Sequence, residues 1–179
     1  PIDFLVISGL LKNYYKVLIL DCIAEKLTFE KSLRIISKFS PNILIFLSSN
    51  LSYKSDFDFV KNIKAKKIFG IGEIFLGNTK EILKENNFIN GVILDFTHSR
   101  LKDFIENPED FGNILYFEDK DYFSYPIPLY EKFPLKKYNY PLHLFNPYAS
   151  VLTTYGCPFR CHFCNSGSLG FKLREVENV

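Results

Sequence analysis

Ile43-Leu44-Ile45-Phe46-Leu47 is an unbroken apolar run, set between Pro41-Asn42 and Ser48-Ser49-Asn50. Runs of the same kind recur at Lys16 to Asp21, with Val17-Leu18-Ile19-Leu20 at its centre, at Lys67 to Ile71 and at Gly91 to Asp95. Continuous Val, Ile and Leu content, without polar alternation, is the pattern of strands covered on both faces. The segments between the runs place apolar residues at helical spacing: Phe29, Leu33, Ile36 and Phe39 within Thr28 to Phe39, and Phe59, Val60 and Ile63 within Ser55 to Ile63. A third helix is expected from Asn78, where Glu81 completes a capping-box pattern, and a fourth from Ser99 to Glu106, stopped by Pro108. Strands alternating with helices feed a parallel sheet, so the expected class is α/β with a doubly wound parallel sheet.

Ahead of the first run, Ile2 to Lys12 reads as a helix packing Phe4, Leu5, Ile7 and Leu11, so the strand that should precede it is expected upstream of Pro1. Beyond Glu106 the character changes. Six of the nine prolines and many of the tyrosines fall between Pro108 and Pro147, which suggests a strap packed on its neighbours rather than a free coil. Ala149 to Thr154 then reads as a new strand. The expected organisation is an α/β domain over residues 1–107, a Pro/Tyr-rich strap over 108–148, and the start of a second domain over 149–179.

Composition narrows the function classes. The chain has 179 residues, 47% hydrophobic and 23% charged, with a net charge of +2, values of a globular protein with a sizeable core. Its lysines are scattered among acidic residues, so no basic stripe points to nucleic acid. No apolar run approaches the roughly 20 residues that cross a bilayer, and no signal-like segment is present, so a cytoplasmic location is expected. Methionine is absent and the last residues read as the beginning of a helix, which suggests that both ends are cut.

Three of the four cysteines lie together, in Gly156-Cys157-Pro158-Phe159-Arg160-Cys161-His162-Phe163-Cys164. Clustered thiols in a reducing compartment point to metal rather than to disulfides. Three thiolates on one loop can hold three corners of a [4Fe-4S] cluster and leave one iron open. The Cys-x3-Cys-x2-Cys spacing, the Gly-Cys-Pro start and Phe163 before the last cysteine resemble the radical S-adenosylmethionine (SAM) superfamily. That resemblance implies Cys157, Cys161 and Cys164 as cluster ligands, Phe163 against the adenine of SAM, and reductive cleavage of SAM to a 5'-deoxyadenosyl radical. It also implies a partial TIM barrel beginning at Ala149, whose first helix would start at Arg174, and an electron donor such as flavodoxin or ferredoxin.

A doubly wound domain followed by a strap and a cysteine loop is similar to cobalamin-binding-domain radical SAM proteins. Cobalamin is then implied as a second cofactor above the C-terminal strand ends, the usual ligand position in such sheets. Ser48, Ser49 and Asn50, then Gly70, Gly72 and Glu73, then Asp95, Phe96 and Thr97 fall there, with Ser48, Ser49, Gly70 and Gly72 the cobalamin candidates. Where that family often has a Gly-Glu-Gly-Glu-like run, this chain has Asp95-Phe96-Thr97-His98. Two readings stand beside this one: a cobalamin-independent radical SAM enzyme whose N-terminal domain is a scaffold or partner-binding module, and a non-enzymatic zinc-binding protein. Cys22 reads as a small buried hydrophobe, and His98 and His143 as loop histidines.

Overall fold

The computed structural model describes residues 1–138 and 148–179; Tyr140 and His143 lie outside the described residues. Helix α1 (Ile2–Leu11) and helix α2 (Phe29–Phe39) come first. Strand and helix then alternate as β1 (Ile43–Leu47), α3 (Tyr53–Val60), β2 (Lys67–Ile71), α4 (Thr79–Glu85), β3 (Gly91–Ile93), α5 (Leu101–Glu106) and β4 (Ile114–Leu115). The four strands form one parallel sheet in the order β1-β2-β3-β4. The α/β class and the parallel sheet are therefore as the apolar runs imply.

The continuous apolar strands are explained by their two coverings. Phe69, Ile71 and Ile93 pack with Val6, Ile7 and Leu11 of α1 and Leu101, Phe104 and Ile105 of α5. The alternate residues Phe46, Ile68 and Val92 pack with Phe57 and Val60 of α3. Successive strand residues face opposite sides, so both faces demand apolar side chains. Helix α2 starts where Thr28 accepts a hydrogen bond from the Lys31 N–H at 3.3 Å, and it leans on α3 through the edge-on ring pair Phe29–Phe59.

Several expectations are corrected. Lys16 to Asp21 forms no strand, because among the described residues neither of its sides finds a strand to pair with: Lys16 to Leu20 make no backbone hydrogen bond to another described residue. The capping box at Asn78 and Glu81 is not formed, since the Asn78 side chain makes no cap bond and α4 begins in its absence. Ile114 and Leu115, read as strap, add the fourth strand, with the Val92 and Leu94 N–H groups donating to Asn113 and Leu115 carbonyls at 3.0 Å each.

A second, three-stranded sheet follows, ordered β5-β7-β6, from β5 (Tyr122–Phe123), β6 (Thr154–Gly156) and β7 (Phe171–Arg174). The strand expected to open a parallel barrel is instead β6, which turns back to pair antiparallel with β7. The residues expected to begin a barrel helix end β7 and enter a single 3-10 turn at Val176–Asn178. Among the described residues these strands form a mixed three-stranded sheet and no parallel barrel.

Candidate functional site

The C-terminal ends of the strands are where a sheet of this kind presents ligand-binding loops. At the end of β1, the buried Ser48 hydroxyl donates to Asp56 Oδ2 at 2.7 Å, and the Ser52 hydroxyl donates to the same oxygen at 2.6 Å. Ser49 Oγ lies 3.0 Å from Ser52 Oγ. The Asn50 N–H reaches across to Glu73 Oε1 at 3.2 Å. Gly72 has a φ of +119°, and a Cβ there would lie 2.1 Å from the Ser48 carbonyl oxygen, so only glycine lets the two loops close on each other. A Cβ on Gly70 would lie 2.2 Å from the Phe75 ring. The small residues admit neighbouring parts of this chain, and the serine hydroxyls are taken up by Asp56 and by one another at the start of α3.

The end of β3 is closed more completely. Asp95 is 0% exposed. Its Oδ1 accepts the Thr97 N–H at 2.9 Å and the Thr97 hydroxyl at 2.6 Å. Its Oδ2 accepts the Glu118 N–H at 3.1 Å and an ion-paired hydrogen bond from Lys172 of β7, itself buried. Lys172 Nζ also stands 5.3 Å from the centre of the Tyr155 ring. The Tyr155 hydroxyl donates to the Leu94 carbonyl at 2.7 Å, and its ring meets Phe96 edge-on. Burial, with Asp95 nearby, pushes the Tyr155 phenol well above its ordinary pKa, so it stays a proton donor. Burial also lowers the His98 pKa, against the pull of Glu118 and Asp95. Burial works the other way on Glu118, but hydrogen bonds from Lys120 and Ser99 prevail and hold its carboxyl down at about 2.

Lys172, Tyr155 and Arg174 escape a reading of the sequence by hydrophobicity. In Phe171-Lys172-Leu173-Arg174 the charged residues face inward and the apolar ones outward. Arg174 is held by the Tyr125 hydroxyl at 2.9 Å from Nη1 and by Asn178 Oδ1 at 2.8 Å from Nε, and it stacks 4.0 Å from the Tyr125 ring centre. The available signal is the alternation itself, read with its phase inverted.

The cysteine loop hangs from the β6–β7 hairpin. Its neck is pinched at Gly156, φ +72°, where a Cβ would lie 1.8 Å from the Gly170 carbonyl oxygen. The Cys157 N–H donates to that oxygen at 3.1 Å. Cys157 is half-buried, whereas Cys161 and Cys164 are exposed, and all three are free thiols. The Cys164 N–H donates to the Cys161 carbonyl at 3.0 Å. Ser166 hydrogen bonds, from its side chain and its N–H, lower the Cys164 thiol pKa. Phe163 is 93% exposed, and Phe159, Arg160 and His162 are exposed too. Cys22 lies apart, half-buried, and accepts the Ser32 hydroxyl at 3.3 Å.

With this geometry in view, one likeness bears on function. The chain is similar to an uncharacterized methyltransferase of Pyrococcus horikoshii. The two are 27% identical, and the alignment takes in 100% of this chain and 44% of the relative. The chain therefore spans less than half the length of the curated protein it matches. No protein family matches it, and no solved structure matches it.

These findings correct the radical SAM reading. The relative is named a methyltransferase, and no radical SAM or cobalamin-binding family matches the chain. Among the described residues no group of three or more His, Cys, Asp and Glu side chains could hold a metal ion. The [4Fe-4S] cluster on Cys157, Cys161 and Cys164, the 5'-deoxyadenosyl radical, and the iron-sulfur and metal-binding character fall on that ground. Cobalamin falls as well: Ser48, Gly70 and Gly72 are already engaged by Asp56, Phe75 and the Ser48 carbonyl, and Ser49 by Ser52. No helix among the described residues is long and apolar enough to cross a membrane.

Proposed function

We propose that this chain forms part of a methyltransferase that uses S-adenosylmethionine as its methyl donor. The observation that carries this reading is the likeness to a protein named a methyltransferase, which runs through the whole of the chain rather than one motif. In this reading the parallel sheet, which runs through β4 at Ile114–Leu115, and the strap after it form the scaffold, and the residues from 149 onward belong with the catalytic part. The strongest candidate contact for the donor is Phe163, whose aromatic face is free on a loop fixed at its neck by Gly156 and Gly170. An exposed ring of this kind offers the adenine of the donor a stacking surface.

The test is titration calorimetry of the full-length protein with S-adenosylmethionine, together with transfer of tritium from the labelled methyl group. Binding of the donor is expected. Phe163→Ala should weaken it roughly 5- to 100-fold, the range that removal of one aromatic stacking partner produces. A full-length protein that is folded but neither binds S-adenosylmethionine nor takes a methyl label from it would overturn the proposal.

A further inference from the structure

A cavity of about 780 Å³ runs between Val17–Cys22 on one side and Ile43–Leu47 on the other. It is lined by α1, through Phe4 and Ile7, and by α2, through Ile36 and Phe39. Helix α1 packs on the face of the sheet that carries Phe69 and Ile71, and α2 leans on α3, which covers the opposite face. The cavity therefore lies between the two helical layers, at the level of the sheet itself.

Among the described residues, both of its long walls are backbone edges without strand partners. In a parallel pair, alternate residues of a strand bond to the neighbour and the residues between them point the other way. The Asn42 carbonyl accepts from Lys67 and the Ser48 N–H donates to Ile71, so the even-numbered residues of β1 face β2. Ile43, Ile45 and Leu47 consequently aim their N–H and C=O groups into the cavity. On the far wall, Lys16 to Leu20 make no backbone hydrogen bond to another described residue. The four apolar side chains Val17-Leu18-Ile19-Leu20 are all incompletely buried, with Leu18 at 39% exposed. Strands in a sheet lie about 4.8 Å apart, so two edges facing across such a gap are satisfied together by one extended segment between them. Leaving these groups unpaired is costly, and a small apolar ligand could not pair them.

We propose that the cavity is the seat of one further strand, parallel to β1, supplied by the residues of the full-length polypeptide that immediately precede Pro1. Pro1 lines the same cavity, so the chain leading into α1 enters there. The strand, α1 and the Lys16–Leu20 segment would then form a βαβ unit, with the segment as a fifth parallel strand on the outside and the new strand between it and β1. The sheet would hold six strands, with its edge moved from β1 to Lys16–Leu20. This inference does not depend on which reaction the protein carries out.

The test is residue-resolved amide hydrogen exchange on the full-length protein and on the 179-residue chain. In the full-length protein the Ile43, Ile45 and Leu47 amides are expected to be as protected as those of Leu44 and Phe46. In the 179-residue chain they should exchange at least roughly 100-fold faster while Leu44 and Phe46 stay slow, which shows that the sheet itself is folded. Fast exchange at Ile43, Ile45 and Leu47 beside slow exchange at Leu44 and Phe46 in the full-length protein would overturn the proposal, and this arm decides even if the shorter chain does not fold. Protection of the same three amides in the shorter chain that rises with protein concentration would also overturn it, by assigning the edge to a second copy. Anilinonaphthalene sulfonate should bind the shorter chain and not the full-length protein; equal binding to both would make the cavity a ligand pocket instead.

Discussion

The two flanks of the parallel sheet are finished in opposite ways. Beyond β3, the short strand β4 ends the ladder, and the β6–β7 hairpin is locked onto the strand end by the buried pair Asp95–Lys172 and by the Tyr155 hydroxyl on Leu94. Beside β1, a full five-residue edge faces a cavity, and the apolar run across from it pairs with nothing described. One flank carries a buried ion pair at its strand end; the other turns backbone groups without a described partner toward a cavity. The lesson is that an apolar run is a demand for neighbours, and the structure shows which demands this stretch of chain meets by itself.

The contrast predicts where substitutions hurt. Lys172→Ala strips the buried Asp95 carboxylate of its counter-charge and should cost about 3–5 kcal/mol in urea unfolding; a loss under about 1 kcal/mol would mean that the closed flank is not held by the pair. Gly72→Ala should come next, at about 1–3 kcal/mol, because its positive φ and the Ser48 carbonyl both resist a Cβ. Acid should act on the closed flank before the open one. The Glu118 carboxyl, held at about 2 against an ordinary 4.5, contributes stability that is complete above about pH 4.5 and is lost as pH falls toward about 2. Glu118→Gln should flatten that part of the stability profile, as followed by thermal unfolding at a series of pH values. The smallest effect belongs to the open flank: Leu18→Ser in the 179-residue chain should change stability by less than about 0.5 kcal/mol, as at a surface position. A large loss there would show that the run is already packed.

Much of the fold was legible. The runs at 43–47, 67–71 and 91–95 became β1 to β3 because a buried parallel strand needs apolar residues on both faces, and α2 and α3 followed from 3.6-residue spacing, whereas α4 was expected from a capping box that does not form. Lys16 to Asp21 carried the same signal and failed, because a strand is completed by its neighbours and not by its own composition. Ile114 and Leu115 were hidden by their brevity and by the prolines that follow. The candidate site was read less well. The cysteines and Phe163 do share one loop, but the thiols are not gathered as ligands among the described residues. The serines and glycines at the strand ends are consumed by internal packing. Lys172 and Asp95, which close the flank, lie far apart in sequence, and neither stands in a motif.

The most direct measurement of the contrast is amide exchange across both flanks of the 179-residue chain. The account predicts slow exchange at Val92 and Leu94, whose N–H groups are held by Asn113 and Leu115, and slow exchange at Leu44 and Phe46. Ile43, Ile45 and Leu47 should exchange fast. Protection of those three amides equal to that of Val92 and Leu94, in dilute monomeric chain, would contradict the account.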